Sequence, residues 1–270
     1  MSQYDDIGTR YNAVKSTFFN VIERTNFKNA IQPLLVENSR VLDLACGTGF
    51  YSDLMLEWGA SCVTGVDISP AMVKGAMARM RNTTCASRAT FVPGDACHPQ
   101  LYASEPGAFD IITGIWLLNY AKTPAELCSM FRTIFMNLKQ DGAFVGVCPH
   151  PTDDVCSLLS HSLENLWART GVWYKYCEEL DGATGNRFVV TAVPPTESAK
   201  DPLTIQFSTY HLKKSIYEEA ARRGGFYNKL EWRRCTFDDA WMEKLGLCGD
   251  ASGWRMLREH PPLSILILRK

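Results

Sequence analysis

Three aspartates and two glycines recur at spacings that suit the handling of a polar small molecule. Asp43 sits inside the run VLDLACGTG (41–49), Asp67 closes CVTGVD (62–67), and Asp95 follows ATFV (89–92) in the turn GDA. A glycine-rich turn directly after an apolar strand brings backbone N–H groups and a helix N-terminus close to a ligand, phosphate and carboxylate being equally suitable. The dinucleotide fingerprint asks for a third small residue three positions after the second glycine; Ser52 stands there, but behind the bulky Phe50 and Tyr51, which tilts the balance away from a dinucleotide. Asp43 tilts it further, because a carboxylate repels a pyrophosphate yet accepts from an ammonium group or orders the loop. Asp67 stands at a strand end, where a carboxylate can accept from both hydroxyls of a ribose or cap the next helix, although Ser69 already offers a cap. Asp95 could accept from an adenine amino group or serve only its own turn.

Histidines at 98, 150, 161, 211 and 260 are the candidates for proton transfer. An oxygen or nitrogen nucleophile that starts out protonated benefits from a base of near-neutral pKa. His150, in CPHPTDD, and His211, in TYHLKK, are the two placed to serve, the alternative being an ordinary loop role for each. The sequence has no C-x-x-C and no H-E-x-x-H, so no metal site is expected, and its ten cysteines read as reduced packing thiols.

The elements that must position these groups follow from punctuation and period. GFYSDLMLEWG reads as a helix closed by Gly59, and CVTGVD as a second buried strand. Ser69 caps a helix with Pro70 at its first position and an apolar stripe of Met72, Val73, Ala76, Met77 and Met80. Thr123, Pro124 and Glu126 form a capping box ahead of Leu127, Met130, Phe131, Ile134, Phe135 and Leu138. Strands FDIITGI (109–115), AFVGV (143–147), LEWRR (230–234) and LSILILR (263–269) complete the pattern, with a helix over KKSIYEEAARRGG. Near-continuous apolar strands alternating with helices predict an α/β fold, a doubly wound, mostly parallel sheet that binds ligands at its carboxyl ends. Residues 151–212 break the alternation with GVWYKY, NRFVVTAV and LTIQFSTYHL, separated by turn signals at Asp181-Gly182 and Gly185-Asn186, and read as a small antiparallel insertion.

Composition narrows the partners. With 46% hydrophobic residues there is ample material for a core, and a formal net charge of −1 supplies no field to attract nucleic acid or anionic lipid. No apolar stretch approaches the ~18 residues of a membrane span and no secretion signal opens the chain, which therefore reads as cytoplasmic.

Taken in order, Asp43-Leu-Ala-Cys-Gly-Thr-Gly49, Gly65-Val-Asp67-Ile-Ser, Gly94-Asp95-Ala96 and Phe109-Asp110-Ile-Ile with Trp116-Leu-Leu-Asn-Tyr120 resemble the motifs of class I S-adenosyl-L-methionine-dependent methyltransferases. The resemblance covers residues 40–148, and the opening YDDIGTRY (4–11) is similar to that of some small-molecule members, including the toxoflavin-pathway type. It implies a seven-stranded Rossmann-like sheet, a helical lid over 1–35, a cofactor domain over 36–150 and 213–270, and a substrate cap over 151–212. It further implies S-adenosyl-L-methionine as cofactor, with Gly47 and Gly49 at its methionine part, Asp43 near its ammonium group, Asp67 on the ribose, and Asp95 and Ala96 at the adenine edge. Trp116 and Leu117 would lie beneath it near the methyl group, Ala45, Ile68 and Met72 complete the binding set, and Tyr4 and Tyr11 would close over the sulfonium, unless they are ordinary helix packing. Tyr11 joins His150 and His211 as a catalytic candidate.

For the acceptor, Trp116, Asn119, Tyr120, His150, Trp173, Tyr174, Tyr176 and Tyr210 are the candidate contacts; with Trp167, the cap aromatics offer flat apolar surface with polar tips. Trp173 and Tyr174 fall on opposite strand faces, so they cannot both line one pocket. The acidic-Pro-Pro-aromatic tetrad of nucleic-acid amino methylation is replaced by WLLNY (116–120), and no basic and aromatic interleaving is present. A metabolite acceptor is expected, its acceptor atom and the oligomeric state being open. Two other readings remain: an enzyme that uses the same cofactor for intramolecular displacement, and a cofactor-binding regulator without catalysis.

Overall fold

The computed structural model describes all residues except 1, 82, 156–167, 195–202, 238 and 245–250, so Trp167 lies outside the described residues. Seven strands form one sheet: β1 (Arg40–Leu44), β2 (Cys62–Asp67), β3 (Ala89–Pro93), β4 (Phe109–Ile115), β5 (Leu138–Pro149), β9 (Glu231–Arg234) and β10 (Leu263–Arg269). Their order is β3-β2-β1-β4-β5-β10-β9, with β10 antiparallel to both of its neighbours. The chain winds from β1 outward to β3, then returns to lay β4 on the other side of β1. That reversal opens a crevice at the carboxyl ends of β1 and β4, where open α/β sheets take their ligands.

Side-chain alternation divides the core in two. Val41, Val63, Ile111, Val145 and Ile265 pack on one face with the helix Phe18–Ile31 (α2) and the helices Phe50–Glu57 (α3) and Pro70–Met80 (α4). Leu42, Leu44, Ile112, Phe144 and Leu266 pack on the other, against the helix Pro124–Asn137 (α5) and the helix Lys214–Gly224 (α6). Leu42 and Phe144 are fully buried, and truncating either to alanine should cost about 2–5 kcal/mol. The helix punctuation works locally as expected: Thr123 Oγ1 accepts from Glu126 N at 3.2 Å and Ser69 Oγ from Met72 N at 3.3 Å. Glu126 reaches back to Lys122 N rather than Thr123 N, one residue outside the expected box. Met77 departs from the expected stripe; it is 48% exposed because α4 is buried only along Met72, Val73, Ala76 and Met80.

Between β5 and α6 stands a separate three-stranded antiparallel sheet of β6 (Val172–Glu179), β7 (Gly185–Ala192) and β8 (Ile205–Leu212). Asp181–Ala183 makes the β6–β7 connection with Gly182 at φ 67°, whereas Gly185-Asn186, expected as a second turn, begins β7 opposite Leu212 and His211. Two anchors hold this sheet to the rest. Asn119 and Thr209 bond each other, and Phe19 N donates to Thr170 O at 2.8 Å. Gln3, in the short first helix Gln3–Ile7 (α1), adds a third by pairing its amide with Ser208 N and O, as a neighbouring strand would. Among the described residues, no helix is long and apolar enough to cross a membrane.

Candidate functional site

Three hollows meet at the crevice. The largest, a cleft of ≈ 970 Å³, is lined by Tyr4, Ala45, Asp67, Ile68, Asp95, Ala96, Leu117, Tyr120 and Tyr210, among others. Tyr11, Gly47, Met72 and Trp116 continue it inward, and beyond them a third hollow is walled by Asp43, Gly47, Thr48 and Lys15. Most of the residues expected at a cofactor are thus brought to one continuous groove. Gly49 is the exception: at φ 73° it starts α3, and a Cβ there would meet Ala76 Cβ at 3.0 Å, so it serves close packing.

Strand ends aim the groove. Ala45 and Trp116, the residues that follow β1 and β4, both adopt left-handed backbone with φ of 59° and 60°. Such conformations cost of order 1–3 kcal/mol for residues with a Cβ and persist where the surroundings over-determine them. At Trp116 the determinants are visible: its N–H donates to Val147 O at 3.0 Å and its indole N–H to Glu23 Oε2 at 2.6 Å.

Asp67 does two things at once. Its Oδ2 accepts from Gly47 N at 2.8 Å and its Oδ1 from Ser69 N at 2.9 Å, which ties the glycine turn to the start of α4. A carboxylate has about four lone-pair sites, so two remain for hydroxyl donors in the cleft. Burial raises its pKa, against the pull of those two bonds. Asp43 is deeper: Ser52 Oγ donates to it at 2.6 Å and Thr113 Oγ1 at 2.9 Å, while burial pushes its carboxyl up to about 6. Asp95 lies at the outer rim, holding Cys97 N at 2.9 Å and His98 Nδ1 at 2.9 Å.

The N-terminal segment closes the groove from above. Asn12 Oδ1 accepts from Thr48 Oγ1 at 2.5 Å and Arg79 Nη2 at 3.0 Å, and Asp5 Oδ1 accepts from Ser69 Oγ at 2.6 Å. Tyr4 thereby meets Tyr11 edge-on at 5.5 Å and Tyr120 at 5.8 Å, with the Tyr4 and Tyr120 hydroxyls bonded to each other. Burial drives the phenols of Tyr4, Tyr11 and Tyr120 up, so they are neutral rings at neutral pH.

Behind Tyr11 and Trp116 a further cavity of ≈ 30 Å³ lies beneath the small sheet, lined by Val14, Phe19, Asn20, Glu23, Asn119, Val172, Tyr174, Phe188, Phe207 and Thr209 as well. Of the expected acceptor contacts, Trp116, Asn119 and Tyr174 reach it. Trp173, on the other face of β6, does not, and Tyr120 and Tyr210 face the large cleft instead.

The histidines are placed differently from their expected role. His211 Nε2 lies 2.9 Å from His150 O, which can only accept, so Nε2 carries the proton and Nδ1 accepts from Tyr176 OH at 2.8 Å. Both nitrogens are engaged, Nε2 in fastening the small sheet to the residue after β5 and Nδ1 in joining β8 to β6, and burial lowers the His211 pKa to about 4. His150 is also lowered to about 4, by burial first and then by Arg234, His211 and His260, and its Nδ1 is 3.4 Å from Ser264 Oγ. Neither belongs to the lining of the cavity, and Tyr176 serves the same clamp.

Glu23, Lys15 and Asn20 are among the residues of the site that were not expected. Glu23 is buried in α2 and accepts from Lys15 Nζ at 3.2 Å, Asn20 Nδ2 at 3.0 Å, Tyr51 OH at 2.5 Å and Trp116 Nε1 at 2.6 Å. Four donors match the capacity of a carboxylate, so Glu23 organises its neighbours rather than exchanging protons. Lys15 lies over the faces of Tyr51 at 4.7 Å and Phe50 at 5.5 Å and lines both the innermost hollow of the groove and the cavity beneath the small sheet. A Ser/Thr-capped helix opening TFFNVIER carries an internal acid and amide one turn apart, which is the signal that could have drawn attention to Asn20 and Glu23.

The chain is similar to known proteins in part of its sequence and in its fold. Residues 41–142 match the family model described as a methyltransferase domain. The chain is 33% identical over 110 residues to an O-methyltransferase of Aspergillus niger, covering 39% of this chain and 56% of that one. It is 33% identical over 89 residues to the ubiquinone biosynthesis O-methyltransferase of Xanthomonas campestris pv. campestris, covering 33% and 35%. The chain therefore spans about half or less of the length of these relatives. A solved S-adenosylmethionine-dependent methyltransferase from Mesorhizobium loti superposes with a TM-score of 0.54 at 21% identity over 90% of this chain and 98% of that one. The CcbJ methyltransferase of Streptomyces caelestis gives 0.57 at 15% over 90% and 94%. At such identities the likeness is one of fold.

Proposed function

We propose that this chain is a class I S-adenosyl-L-methionine-dependent methyltransferase that transfers a methyl group to a small-molecule acceptor, a reading supported by the match of residues 41–142 to a methyltransferase-domain model. The observation that carries the reading is the meeting of two compartments at Tyr11 and Trp116, the groove with its row of aspartates on one side and the buried apolar cavity on the other.

The groove fits the cofactor on its own chemistry. Its inner hollow offers one carboxylate, Asp43, and one ammonium, Lys15, which complement the two charges of an amino-acid end. Asp67 keeps lone pairs for ribose hydroxyls, and Tyr4, Tyr11, Trp116 and Tyr120 give a cation aromatic faces rather than anions to rest on. When bound, S-adenosyl-L-methionine would supply an electrophilic methyl carbon to the acceptor's nucleophilic atom. The chain contributes alignment and exclusion of water. Tyr11, held neutral by burial, and the two clamped histidines supply no strong base, so the acceptors turned over best are those already nucleophilic at neutral pH.

Incubation of the protein with S-adenosyl-L-methionine and a metabolite extract tests this reading, S-adenosylhomocysteine being the expected product. Formation of 5′-methylthioadenosine would point instead to intramolecular displacement, and tight cofactor binding with no turnover to a regulator.

Asp43 adds a pH signature. Its carboxyl titrates at about 6, so the charge that attracts the cofactor ammonium is lost on acidification, and affinity should fall roughly tenfold between pH 7.5 and 5. Stability of the unliganded chain should move the other way. A carboxyl whose pKa is raised above its unfolded value stabilises the fold while protonated, and that contribution fades as pH rises through about 6. Asp43→Asn should flatten both trends, read by calorimetry and thermal unfolding. Affinity that is flat in the parent chain would remove Asp43 from the ammonium site.

In the small sheet, Tyr174→Ala should lower acceptor turnover about tenfold or more while cofactor affinity stays within about threefold, roughly 0.7 kcal/mol. Trp173→Ala, on the opposite face, should change neither by more than about twofold. Equal effects of the two variants would withdraw the acceptor pocket from this face.

A further inference from the structure

Two residues that line the cavity beneath the small sheet, Asn20 and Asn119, each carry a buried side-chain oxygen with no hydrogen-bond partner among the described residues. Both residues are 2% exposed. The orientation of each amide is fixed by its neighbours. Asn20 faces Glu23 Oε1, a carboxylate oxygen, and only its Nδ2 can donate there, at 3.0 Å, while the same nitrogen donates to Tyr51 OH at 3.1 Å. Thr209 Oγ1 spends its proton on Asn119 O at 2.6 Å and must therefore accept from Asn119 Nδ2, also at 2.6 Å. In each case the amide oxygen is left over, and flipping the amide would set like against like. Buried acceptors of this kind are rare in folded proteins, and where they border a binding cavity they discriminate strongly against occupants that lack a donor.

Beside the ion-paired Lys15 and Glu23 and the bonded Thr209, the remaining walls are apolar or aromatic, Phe19, Tyr174, Phe188, Phe207 and Val190 among them. On the reading that this cavity receives the methyl acceptor, we propose that the acceptor is an aromatic compound bearing two O–H or N–H donors, and that Asn20 and Asn119 are the residues that select it. Two donors satisfy the two amide oxygens, and a flat ring offers its faces to the aromatic side chains. Glu23 then acts as a positioning residue, because its carboxylate is what turns the Asn20 oxygen away from itself. At ≈ 30 Å³ the cavity is smaller than a ring, so an occupant of that size requires its walls to move apart.

The test is calorimetric titration of the chain saturated with S-adenosylhomocysteine, using catechol, resorcinol and hydroquinone as two-donor rings, phenol as a one-donor ring and anisole as a ring with none. The best two-donor ring should bind at least tenfold more tightly than phenol, and phenol more tightly than anisole. Asn20→Ala and Asn119→Ala, checked by thermal unfolding, should each reduce the two-donor preference to under threefold. The ladder in the parent chain stands as a test even if a variant fails to fold. Absence of that ladder, or a ladder unchanged in two folded variants, would overturn the assignment. The methyl-transfer reading fails separately: donor-dependent ring binding without any S-adenosylhomocysteine formed from metabolites would leave this assignment and remove that one. Turnover of metabolites with no donor-dependent ring binding would do the reverse.

Discussion

Gly47→Val should abolish measurable binding of S-adenosyl-L-methionine, a loss of at least 100-fold, while lowering the melting temperature by only a few degrees. Gly47 has a φ of 56°, and no heavy atom lies within 4 Å of where its Cβ would stand. The space ahead of it is the groove itself, since the residue lines both inner hollows. A β-branched side chain there would occupy room left for the ligand and force a strained backbone at a cost of about 1–3 kcal/mol. For a chain of this size each kcal/mol corresponds to a few degrees in melting temperature. Gly47→Ala should fall between the two. Calorimetry and thermal unfolding on the same samples separate the effects, and a valine variant that bound the cofactor normally would move the ligand elsewhere.

Asp67→Ala should lose both affinity and stability, because the carboxylate proposed to face the ribose also holds the backbone that shapes the site. Removing it strands Gly47 N and Ser69 N, each in a charge-assisted bond under 3 Å, and should destabilise the fold by about 2–4 kcal/mol. Cofactor affinity should fall by about 2–4 kcal/mol, some 30- to 1000-fold, through the lost hydroxyl contacts. Asp67→Asn separates these roles. Its amide oxygen can still accept from one backbone N–H, so much of the stability should return while the affinity stays low. If the asparagine variant bound as tightly as the parent, the ribose role would go to another group.

How much of this could be seen in the sequence depends on how local the cause was. The turn at Gly47, the caps at Ser69 and Thr123 and the alternation of Val41 with Leu42 are settled within a few residues, and their elements lie where the pattern puts them. The second role of Asp67 was half visible, as a choice between ribose and cap; both oxygens turn out to be tied to backbone while lone pairs remain. Glu23 was invisible because its meaning comes from Trp116, 93 residues away, which no spacing rule connects to it. The surroundings of His150 and His211, expected as candidates for proton transfer, were out of view for the same reason. A histidine beside prolines at a strand end looks available, but here the His150 carbonyl and the Tyr176 hydroxyl occupy the His211 ring from opposite sides. The alternation of Trp173 and Tyr174 told the two faces apart without telling which one looks inward.

The place at which the small sheet enters the chain has a consequence for chain entropy. Strand β5 ends at Pro149 and its antiparallel partner β10 begins at Leu263, so this pairing closes a long loop that contains everything between. Residues 150–212 make up about half of that loop, and their presence roughly doubles its length. Closure entropy grows only with the logarithm of loop length, so the doubling costs about 0.6 kcal/mol. A segment proposed to touch the acceptor can therefore lengthen, shorten or be exchanged with almost no penalty to the sheet that carries the aspartates. Diversification of the acceptor is cheap at this junction, and it would be expensive at β1 or β4, whose ends set the groove directly.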